Sequence, residues 1–455
     1  MSNLSVDFAG LKLKNPLIAS AGPITTNIES VKRLIDSGIA AIVTKTGFVK
    51  KEYEKWVGRK NIFPYKPVFK YQSLKNGRLL SLPALSDIPV SEMAGRVEKM
   101  KKLNIPVIGS IMGLSPKGYR ESAKILAESG ADAIELDLCC TMPEFTTTYK
   151  YAGQNVNFYP KKYAHLIAAV KNSVSIPVGA KSTVSLYLYG KIFEGLIRSK
   201  LKNSLPDFIT LVGQLDRNPG VSMETLEPLI PDIPTFGWQG TLSGLTYSAL
   251  ATFSSTLGIG RPILSASGGI RDYEGVVQSM ALGATTVQFQ TLILDKGPKV
   301  ISKILDKLEA YLESKGIADI DNIIGIAGKQ YIPSHLLGRF MLERDTLFGI
   351  MHAVVTSKDC NGCGICESVC TEAAIVMNEK KAEIIPSRCR ACNLCVLKCP
   401  QEAIFMENLE RLNQLMERYK DTESSKSFKT FMGKERIGFL DKIEIYKNLK
   451  EWGLA

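Results

Sequence analysis

Two copies of one cysteine pattern constrain this sequence more than any other feature. Each copy has the spacing C-x2-C-x2-C-x3-C, and the second begins 29 residues after the first and ends in Cys399-Pro400. Three closely spaced thiolates can bind one iron–sulfur cube, while the fourth cysteine of each copy reaches the cube of the other copy. The spacing therefore predicts two [4Fe–4S] clusters, one held by Cys360, Cys363, Cys366 and Cys399 and the other by Cys370, Cys389, Cys392 and Cys395.

Structural zinc is the alternative interpretation of these cysteines. Zinc sites usually take two close cysteine pairs separated by a longer gap, which is not the arrangement of two triplets with outlying cysteines. The segment resembles a bacterial-type two-cluster ferredoxin, apart from Thr371, where that family often has proline. Such clusters do one-electron chemistry, so the resemblance implies that electrons enter or leave this chain one at a time.

Short apolar runs alternate with helical stretches from residue 15 to about residue 310. Buried-strand composition alternating with helices indicates a parallel sheet, and eight such units favour a closed (β/α)8 TIM barrel over an open doubly wound sheet. The runs are Pro16–Ala21, Ala40–Lys45, Pro106–Ile111, Ala133–Leu138, Pro177–Lys181, Phe208–Val212, Pro262–Ala266 and Thr286–Phe289. The predicted helices include Pro116–Ser129, Lys162–Asn172, Tyr187–Ser199, Ser248–Leu257, Tyr273–Leu282 and Lys299–Ser314.

The predicted architecture is therefore an α/β TIM barrel followed by a small α+β ferredoxin domain. We place the barrel in residues 1–315, a connector in 316–356, the ferredoxin domain in 357–405 and a helical tail in 406–455. Two long insertions, 46–104 and 139–160, follow the second and fourth runs. Both leave the carboxyl ends of strands, where barrel enzymes place their active sites.

Charge and composition narrow the class of protein. The net charge is +12, and residues 45–78 hold ten basic residues against two acidic ones, which indicates either a solvated loop or a docking surface for an anionic substrate or an acidic partner. No zinc-finger or RNA-recognition motif supports nucleic acid as a partner. We find no signal-peptide pattern and no run of about 18 apolar residues, so we expect no membrane association. Ten cysteines in this context predict a cytoplasmic protein whose thiols serve metal binding or catalysis.

A glycine pair indicates a phosphate site in the barrel. Gly268 and Gly269 follow the seventh run and precede a helix, and glycines there let backbone N–H groups approach a phosphate. Thr291 follows the eighth run, in the second loop that commonly forms this site. Taken alone, the glycine pair is equally consistent with an ordinary tight turn.

The order of several short motifs resembles the dihydroorotate dehydrogenase family, and with the ferredoxin segment the chain is similar to dihydropyrimidine dehydrogenase catalytic subunits. These motifs are Asn15–Gly22, Val43–Thr46, Pro177–Lys181, Leu242–Gly244, Ser267–Ile270 and Val287–Thr291. The resemblance implies bound FMN, with a cation at the N1–O2 edge of the ring, where it stabilises the charge of the reduced form. The implied FMN-binding residues are Ser20, Ala21, Gly22, Lys45, Thr46, Asp137 and Lys181 around the flavin and ribityl chain, and Gly244, Gly268, Gly269 and Thr291 at the phosphate.

The same resemblance assigns the catalytic cysteine to Cys140, at the end of the fourth run, with Cys139 as second choice. A thiol with an ordinary pKa of about 8.5 can exchange a proton near neutral pH. The segment Thr141–Gln154 resembles the active-site lid of the family. A buried structural cysteine is the alternative for Cys140.

The sequence departs from the family where substrate is held. Asp137, Thr141, Met142 and Gly213 stand where the family has asparagine, proline, asparagine and asparagine. Asparagine offers a donor and an acceptor to a cyclic imide, whereas an ionised aspartate only accepts and glycine has no side chain. We therefore predict an FMN- and iron–sulfur-dependent oxidoreductase that acts on a C=C or CH–CH bond of a small polar substrate, cyclic or acyclic.

Electrons should come from a partner, because the sequence has no G-x-G-x-x-G dinucleotide fingerprint. The expected partner is an NAD(P)H-oxidising flavoprotein subunit or a soluble ferredoxin, in an oligomer or hetero-complex. Two alternatives stay open: a dihydropyrimidine or dihydroorotate dehydrogenase proper, and an electron-transfer subunit of a larger complex without substrate turnover.

Overall fold

The computed structural model of the chain describes residues 2–57, 71–73, 79–81, 88–140, 149–182, 199–213, 215–217, 221–227, 236–239, 242–258, 262–332, 336, 338, 340–343, 351–407 and 409–420. These fall into two compact units, one within residues 1–329 and one within residues 330–428. The predicted helix Tyr187–Ser199 lies almost wholly outside the described residues. No helix of the described part is both long and apolar enough to cross a lipid bilayer.

The first unit is a closed barrel of eight parallel strands. Each strand pairs with the next along the chain, and the eighth pairs with the first, so the ring closes. The side chains of nearly every strand residue are buried, which is why the strands appear in the sequence as continuous apolar runs. The strands are β1 Leu17–Ala19, β2 Ala41–Val43, β3 Val107–Met112, β4 Ala133–Leu138, β5 Val178–Ser182, β6 Phe208–Leu211, β7 Ile263–Ser267 and β8 Ala284–Phe289. Each lies within or overlaps its predicted run, and the TIM-barrel prediction is confirmed.

Helices cover the outside of the barrel. Several begin where the sequence supplies a cap: the Ser115 side chain accepts a hydrogen bond from the Gly118 N–H ahead of Pro116, and Asp272 does the same for Gly275. The helices of this unit are α1 Ile28–Asp36, α2 Lys50–Val57, α3 Val90–Lys101, α4 Pro116–Glu128, α5 Pro160–Lys171, α6 Ser243–Leu257, α7 Tyr273–Ala281, α8 Thr291–Lys296 and α9 Val300–Ser314.

An N-terminal hairpin closes the amino-terminal end of the barrel. Val6–Phe8 pairs antiparallel with Leu11–Leu13, and the buried Phe8 ring lies 4.7 Å from that of Phe208 at the start of β6. Phe208 in turn occupies the space beside Gly179, where an added Cβ would be 2.2 Å from its ring. With this end filled, the opposite end is the one left for a site.

At that opposite end, a segment that follows β2 and a segment that follows β6 form a small antiparallel sheet. Its order is Leu215–Arg217, Phe236–Gln239, Leu79–Ser81 and Tyr71–Ser73. One pair of strands follows β2 and the other follows β6, so loops that are distant in sequence meet beside the carboxyl ends of the barrel strands.

The second unit is small and internally repeated. Strand Ala353–Val355 pairs with Ile404–Met406, and Ile375–Asn378 pairs with Lys381–Ile384. Each cysteine triplet ends in a short helix that contains its third cysteine, Cys366 in Ile365–Ser368 and Cys395 in Leu394–Lys398. Its core contains Ala353, Ile375, Ala382 and Ile404 together with cysteine side chains. A further helix, Leu409–Lys420, follows.

Candidate functional site

Asp137 is the centre of the polar groups at the end of β4. Its carboxylate accepts hydrogen bonds from the backbone N–H groups of Cys139 and Cys140, at 3.3 and 3.2 Å. It also accepts from both thiols, Cys139 Sγ at 3.2 Å and Cys140 Sγ at 3.1 Å, and from the Thr46 hydroxyl at 3.0 Å. The two sulfurs and a carboxylate oxygen lie within 4.8 Å of one another. The structure therefore brings Thr46, Asp137 and the predicted catalytic Cys140 into one cluster.

The Cys140 thiol is strongly perturbed by these neighbours. Its hydrogen bond with Cys139, its burial and the negative charge of Asp137 raise the pKa of the Cys140 thiol well above the ordinary value. Cys140 is partly exposed, whereas Cys139 is buried. Residues 141–148 of the predicted lid lie outside the described residues; Gln154, at its end, donates its N–H to the Cys140 carbonyl at 3.0 Å.

Cys139 fills the space that a side chain at position 213 would need. A Cβ added to Gly213 would lie 2.2 Å from the Cβ and 2.3 Å from the Sγ of Cys139. Gly213 follows β6, and its N–H donates to the carbonyl of Ser182 at the end of β5. The glycine expected to weaken pyrimidine binding is thus required by the Cys139 side chain beside it.

Lys181 is buried in the barrel mouth. Its Nζ donates to the Ser20 hydroxyl at 2.7 Å, and Ser20 donates to Gln288 Oε1 at 3.0 Å. Gln288 Nε2 donates to Glu135 Oε2 at 2.9 Å. The same carboxylate oxygen accepts a hydrogen bond from the Thr210 hydroxyl at 2.6 Å. Lys181 is 8% exposed and Glu135 is 0% exposed, so this chain of hydrogen bonds lies inside the barrel.

Sequence reasoning missed the lower part of that chain. Glu135, Thr210 and Gln288 lie in runs interpreted as apolar, and the signal that could have found them is a polar residue inside a fully buried strand. Among the described residues, Glu135 Oε1 has no hydrogen-bond partner.

The other predicted flavin residues line the ends of β1 and β2. Ala21 is packed against the core at its edge, and Lys45 is partly exposed beside the buried Thr46. Gly22 lies against the side chain of Gln290, where an added Cβ would be 2.5 Å from Nε2. These residues follow the carboxyl ends of β1 and β2, at the same end of the barrel as Asp137 and Lys181.

The predicted phosphate residues meet after β7 and β8. Gly268 and Gly269 have φ of 93° and 80°, a backbone region that favours glycine. A Cβ on Gly269 would lie 2.3 Å from the backbone N of Ser243, so the glycine turn contacts the first turn of α6. Gly244 is exposed in that turn, which has no side-chain cap, and Thr291 begins α8. Uncapped helix N–H groups next to a glycine turn form a cradle suited to an anion.

The eight cysteines of the second unit surround two separate cavities. One is lined by Cys360, Cys363, Cys366 and Cys399. The other is lined by Cys370, Cys389, Cys392 and Cys395. The grouping follows the crossed sets expected from the spacing, in which the last cysteine of each motif joins the other motif.

Backbone N–H groups point at several of these sulfurs. The N–H of Ala374 donates to Cys370 Sγ at 3.2 Å and that of Ala403 to Cys399 Sγ at 3.3 Å. Cys389 Sγ accepts from Ala353 and Ala391. Hydrogen bonds to the sulfurs stabilise charge on a bound cluster and tune its potential.

Comparison with protein families assigns both units. A model described as "Dihydroorotate dehydrogenase" matches residues 3–312, and one described as "4Fe-4S dicluster domain" matches residues 359–410.

Individual proteins give the same picture. The catalytic subunit of dihydroorotate dehydrogenase B (NAD(+)) from Methanothermobacter thermautotrophicus is 25% identical over 328 residues, 71% of this chain and 98% of that protein. The NAD-dependent dihydropyrimidine dehydrogenase subunit PreA of Escherichia coli K12 is 24% identical over 398 residues, 81% of this chain and 85% of its own. A crystal structure of DHODH from Eimeria tenella with ferulenol matches with a TM-score of 0.57 and 16% identity, over 71% of this chain and 88% of that one, which supports the fold.

Proposed function

This chain belongs to the dihydroorotate dehydrogenase family, and we propose that it exchanges a hydride and a proton with a small polar substrate that is not dihydroorotate. The chain is an FMN- and iron–sulfur-dependent oxidoreductase acting on CH–CH groups. The observation that carries the proposal is the Cys140 thiol, hydrogen-bonded to Asp137 at the barrel end that also holds Lys181.

The residues at this end fit FMN. The contact between the Gly268–Gly269 turn and the first turn of α6 is a backbone cradle that an added Cβ would fill, and it suits a phosphate. We assign the phosphate to Gly244, Gly268, Gly269 and Thr291. Ser20, Ala21, Gly22, Lys45, Thr46, Asp137 and Lys181 are assigned to the flavin and ribityl end, directly or, for Asp137, through Thr46.

The eight cysteines fit two [4Fe–4S] clusters, since each cavity offers four sulfurs. We assign one cluster to Cys360, Cys363, Cys366 and Cys399 and the other to Cys370, Cys389, Cys392 and Cys395. When bound, FMN supplies two-electron hydride chemistry and the clusters supply single-electron transfer.

The side chains of this chain have separate tasks in the reaction. Cys140 exchanges a proton at the substrate carbon next to the one that exchanges hydride. Lys181, fixed by Ser20, would place a positive charge beside bound FMN, where it would stabilise the negative charge of the reduced form. The buried network from Ser20 to Glu135 keeps Lys181 from reorienting, because each member is held by its neighbours.

The substrate differs from the pyrimidines named in the relatives. All of the hydrogen bonds of Asp137 described above are made within the chain, and position 213 has no side chain. A cyclic imide would therefore meet a site that lacks the three asparagine amides of the family pattern, at positions 137, 142 and 213. This argues against the alternative of a dihydropyrimidine or dihydroorotate dehydrogenase proper.

We propose an NAD(P)H-oxidising flavoprotein subunit or a soluble ferredoxin as electron partner. Relatives described as catalytic subunits of NAD-dependent enzymes support a hetero-complex. The proposed domains are the FMN barrel in 1–315, the connector in 316–356, the ferredoxin domain in 357–405 and the C-terminal tail in 406–455, in a cytoplasmic protein.

Turnover should depend on Cys140 more than on any neighbouring thiol. Protein purified without oxygen and reduced chemically should show reoxidation of its flavin by one class of small unsaturated metabolites. The Cys140→Ala variant should lose turnover of that class by about 10²–10⁴-fold, the range for a proton-transfer group. FMN content and reduction by dithionite should not change.

The comparison variant is Cys139→Ser, which keeps a hydroxyl near Asp137 and should lose less than about tenfold. Equal turnover in Cys140→Ala and wild type would contradict the proposed role of the thiol. Absence of turnover of every candidate substrate by the wild type would instead favour the electron-transfer subunit, in which the barrel holds flavin without using the thiol.

A further inference from the structure

The carboxylate of Asp137 is saturated by donors from its own chain. Two amide N–H groups, two thiols and one hydroxyl donate to its two oxygens, and a carboxylate offers about four lone-pair sites. Asp137 is 6% exposed. A substrate could bond to this carboxylate only by displacing a thiol or a hydroxyl, so its role is directed at the two cysteines.

We propose that Asp137 is a positioning residue that keeps the Cys139 and Cys140 thiols protonated, so that this site donates a proton and works as a reductase of C=C bonds. The inference rests on the proposed function and assigns the direction of the reaction as reduction. Loss of the thiol proton would place a thiolate 3.1 Å from a carboxylate oxygen, so the charge of Asp137 opposes the ionisation of Cys140.

The charge arrangement around Cys140 agrees with this role. Asp137 at the end of β4 and Cys139 just after it face Cys140. Burial and the charge of Asp137 raise the pKa of the Tyr119 phenol of α4 well above its ordinary value. Glu52 of α2 acts on the same tyrosine.

Among the residues that the structure describes, two cations lie near the cluster and neither pairs with a thiol. Lys181 is the strand partner of Asp137 in the β4–β5 register, yet its Nζ donates to Ser20. Lys45 is partly exposed. It precedes Thr46, whose hydroxyl donates a hydrogen bond to Asp137. Thus the groups in contact with the Cys140 thiol oppose its ionisation, and the same effects raise the pKa of Cys140.

The reaction balances in the reducing direction. One carbon of the C=C bond receives a hydride that carries both electrons, and the neighbouring carbon receives the Cys140 proton. Cys140 is left as a thiolate and takes a proton from water before the next turnover. The external reductant, an NAD(P)H-oxidising flavoprotein or a reduced ferredoxin, replaces the two electrons, and a second proton from water replaces the one carried in the hydride. Each C=C bond reduced therefore consumes two electrons and two protons. A site built around a base would instead need a thiolate at neutral pH, which this carboxylate opposes.

Asp137→Asn isolates the effect of the charge because the amide has the same shape. We expect anaerobic holoenzyme, with its cluster cysteines protected by iron, to react slowly with iodoacetamide at Cys140 up to about pH 9. In Asp137→Asn the pH of half-maximal alkylation should fall by more than one unit, so that the rate at pH 8 rises at least about tenfold. Peptide mass spectrometry of the labelled Cys140 gives the rate.

Asp132→Asn is the matched control. It removes a carboxylate at the other end of β4, where Asp132 pairs with Lys101 at 2.7 Å, and it should leave the Cys140 profile unchanged. Equal profiles in wild type and Asp137→Asn would overturn the proposal. If the variant does not fold, wild type alone decides, because a half-maximal pH at or below about 8.5 would show an ordinary thiol.

Metal analysis provides a second test of the proposal. Zinc bound at one per chain and lost in Cys139→Ser would overturn the proposal, because metal-bound sulfurs carry no proton. The alkylation assay uses no substrate, so a failure of the proposed function would appear separately, as missing FMN or missing turnover with the alkylation difference intact.

Discussion

Replacing Cys392 and Cys399 together by alanine should remove both clusters, whereas replacing Cys363 and Cys399 together should remove only one. Cys363 and Cys399 line the same cavity, while Cys392 lines the other. Since a [4Fe–4S] cube needs its four thiolates, iron content should fall from about eight per chain to about four in Cys363/Cys399 and to near zero in Cys392/Cys399. Iron analysis and EPR of the reduced protein measure both results.

The two double variants distinguish crossed from sequential ligation. If each cysteine motif held its own cluster, Cys392 and Cys399 would belong to one cube and that double variant would retain about four irons. The matched control is Cys139→Ala, a cysteine outside both motifs, which should keep all of the iron. Retention of four irons in Cys392/Cys399 would disprove the crossed assignment.

The sequence determined the barrel because each strand is buried on both faces and therefore appears as an apolar run. β4 and β6 begin at the predicted residues, and their ends differ by at most one position. The N-terminal hairpin and the four-stranded sheet were not predicted. Their strands have three or four residues each, which is too short for a periodicity to mark them. In the four-stranded sheet, the pairing of Leu79–Ser81 with Phe236–Gln239 also joins segments far apart in the chain.

The candidate site was likewise predicted only in part from the sequence. Cysteine spacing is a local property, and it was sufficient to predict the two groups of four that line the cavities. The contact between Cys139 and Gly213 joins β4 to the end of β6, and one sequence without its fold cannot show it. Asp137 was expected at the cofactor, and that assignment stays a prediction. Its bonds to two thiols depend on the turn that follows β4, which sets both backbone N–H groups toward its carboxylate.

The cluster ligands can therefore be predicted from the sequence more fully than the proton-transfer groups, and the reason is physical. Cluster ligands must be close in the chain to wrap one cube, whereas proton-transfer groups need only converge at the barrel end. A departure from a family pattern is informative in the second case when the fold shows what compensates for it, as Cys139 does for Gly213.

That compensation predicts a strong coupling between positions 139 and 213. Gly213→Ala would place a Cβ 2.2 Å from the Cβ of Cys139, and neither atom is at the end of a flexible side chain. Forcing a methyl group into a packed site costs about 1–3 kcal/mol. We expect thermal unfolding of the barrel to shift downward by several degrees, and the Cys139–Asp137 hydrogen bond to be displaced, with faster alkylation of Cys140.

Combining Gly213→Ala with Cys139→Gly should recover much of the stability lost in Gly213→Ala, because the swap moves the side chain to the other strand end. In a double-mutant cycle the coupling energy should be about 1–3 kcal/mol, in the range for residues in contact. Gly95→Ala is the matched glycine control: its added Cβ meets nothing within 4 Å inside α3, and it should be neutral or stabilising by up to about 1 kcal/mol. Additive effects at 139 and 213, measured by denaturant unfolding, would show that the thiol does not occupy the missing side chain's place.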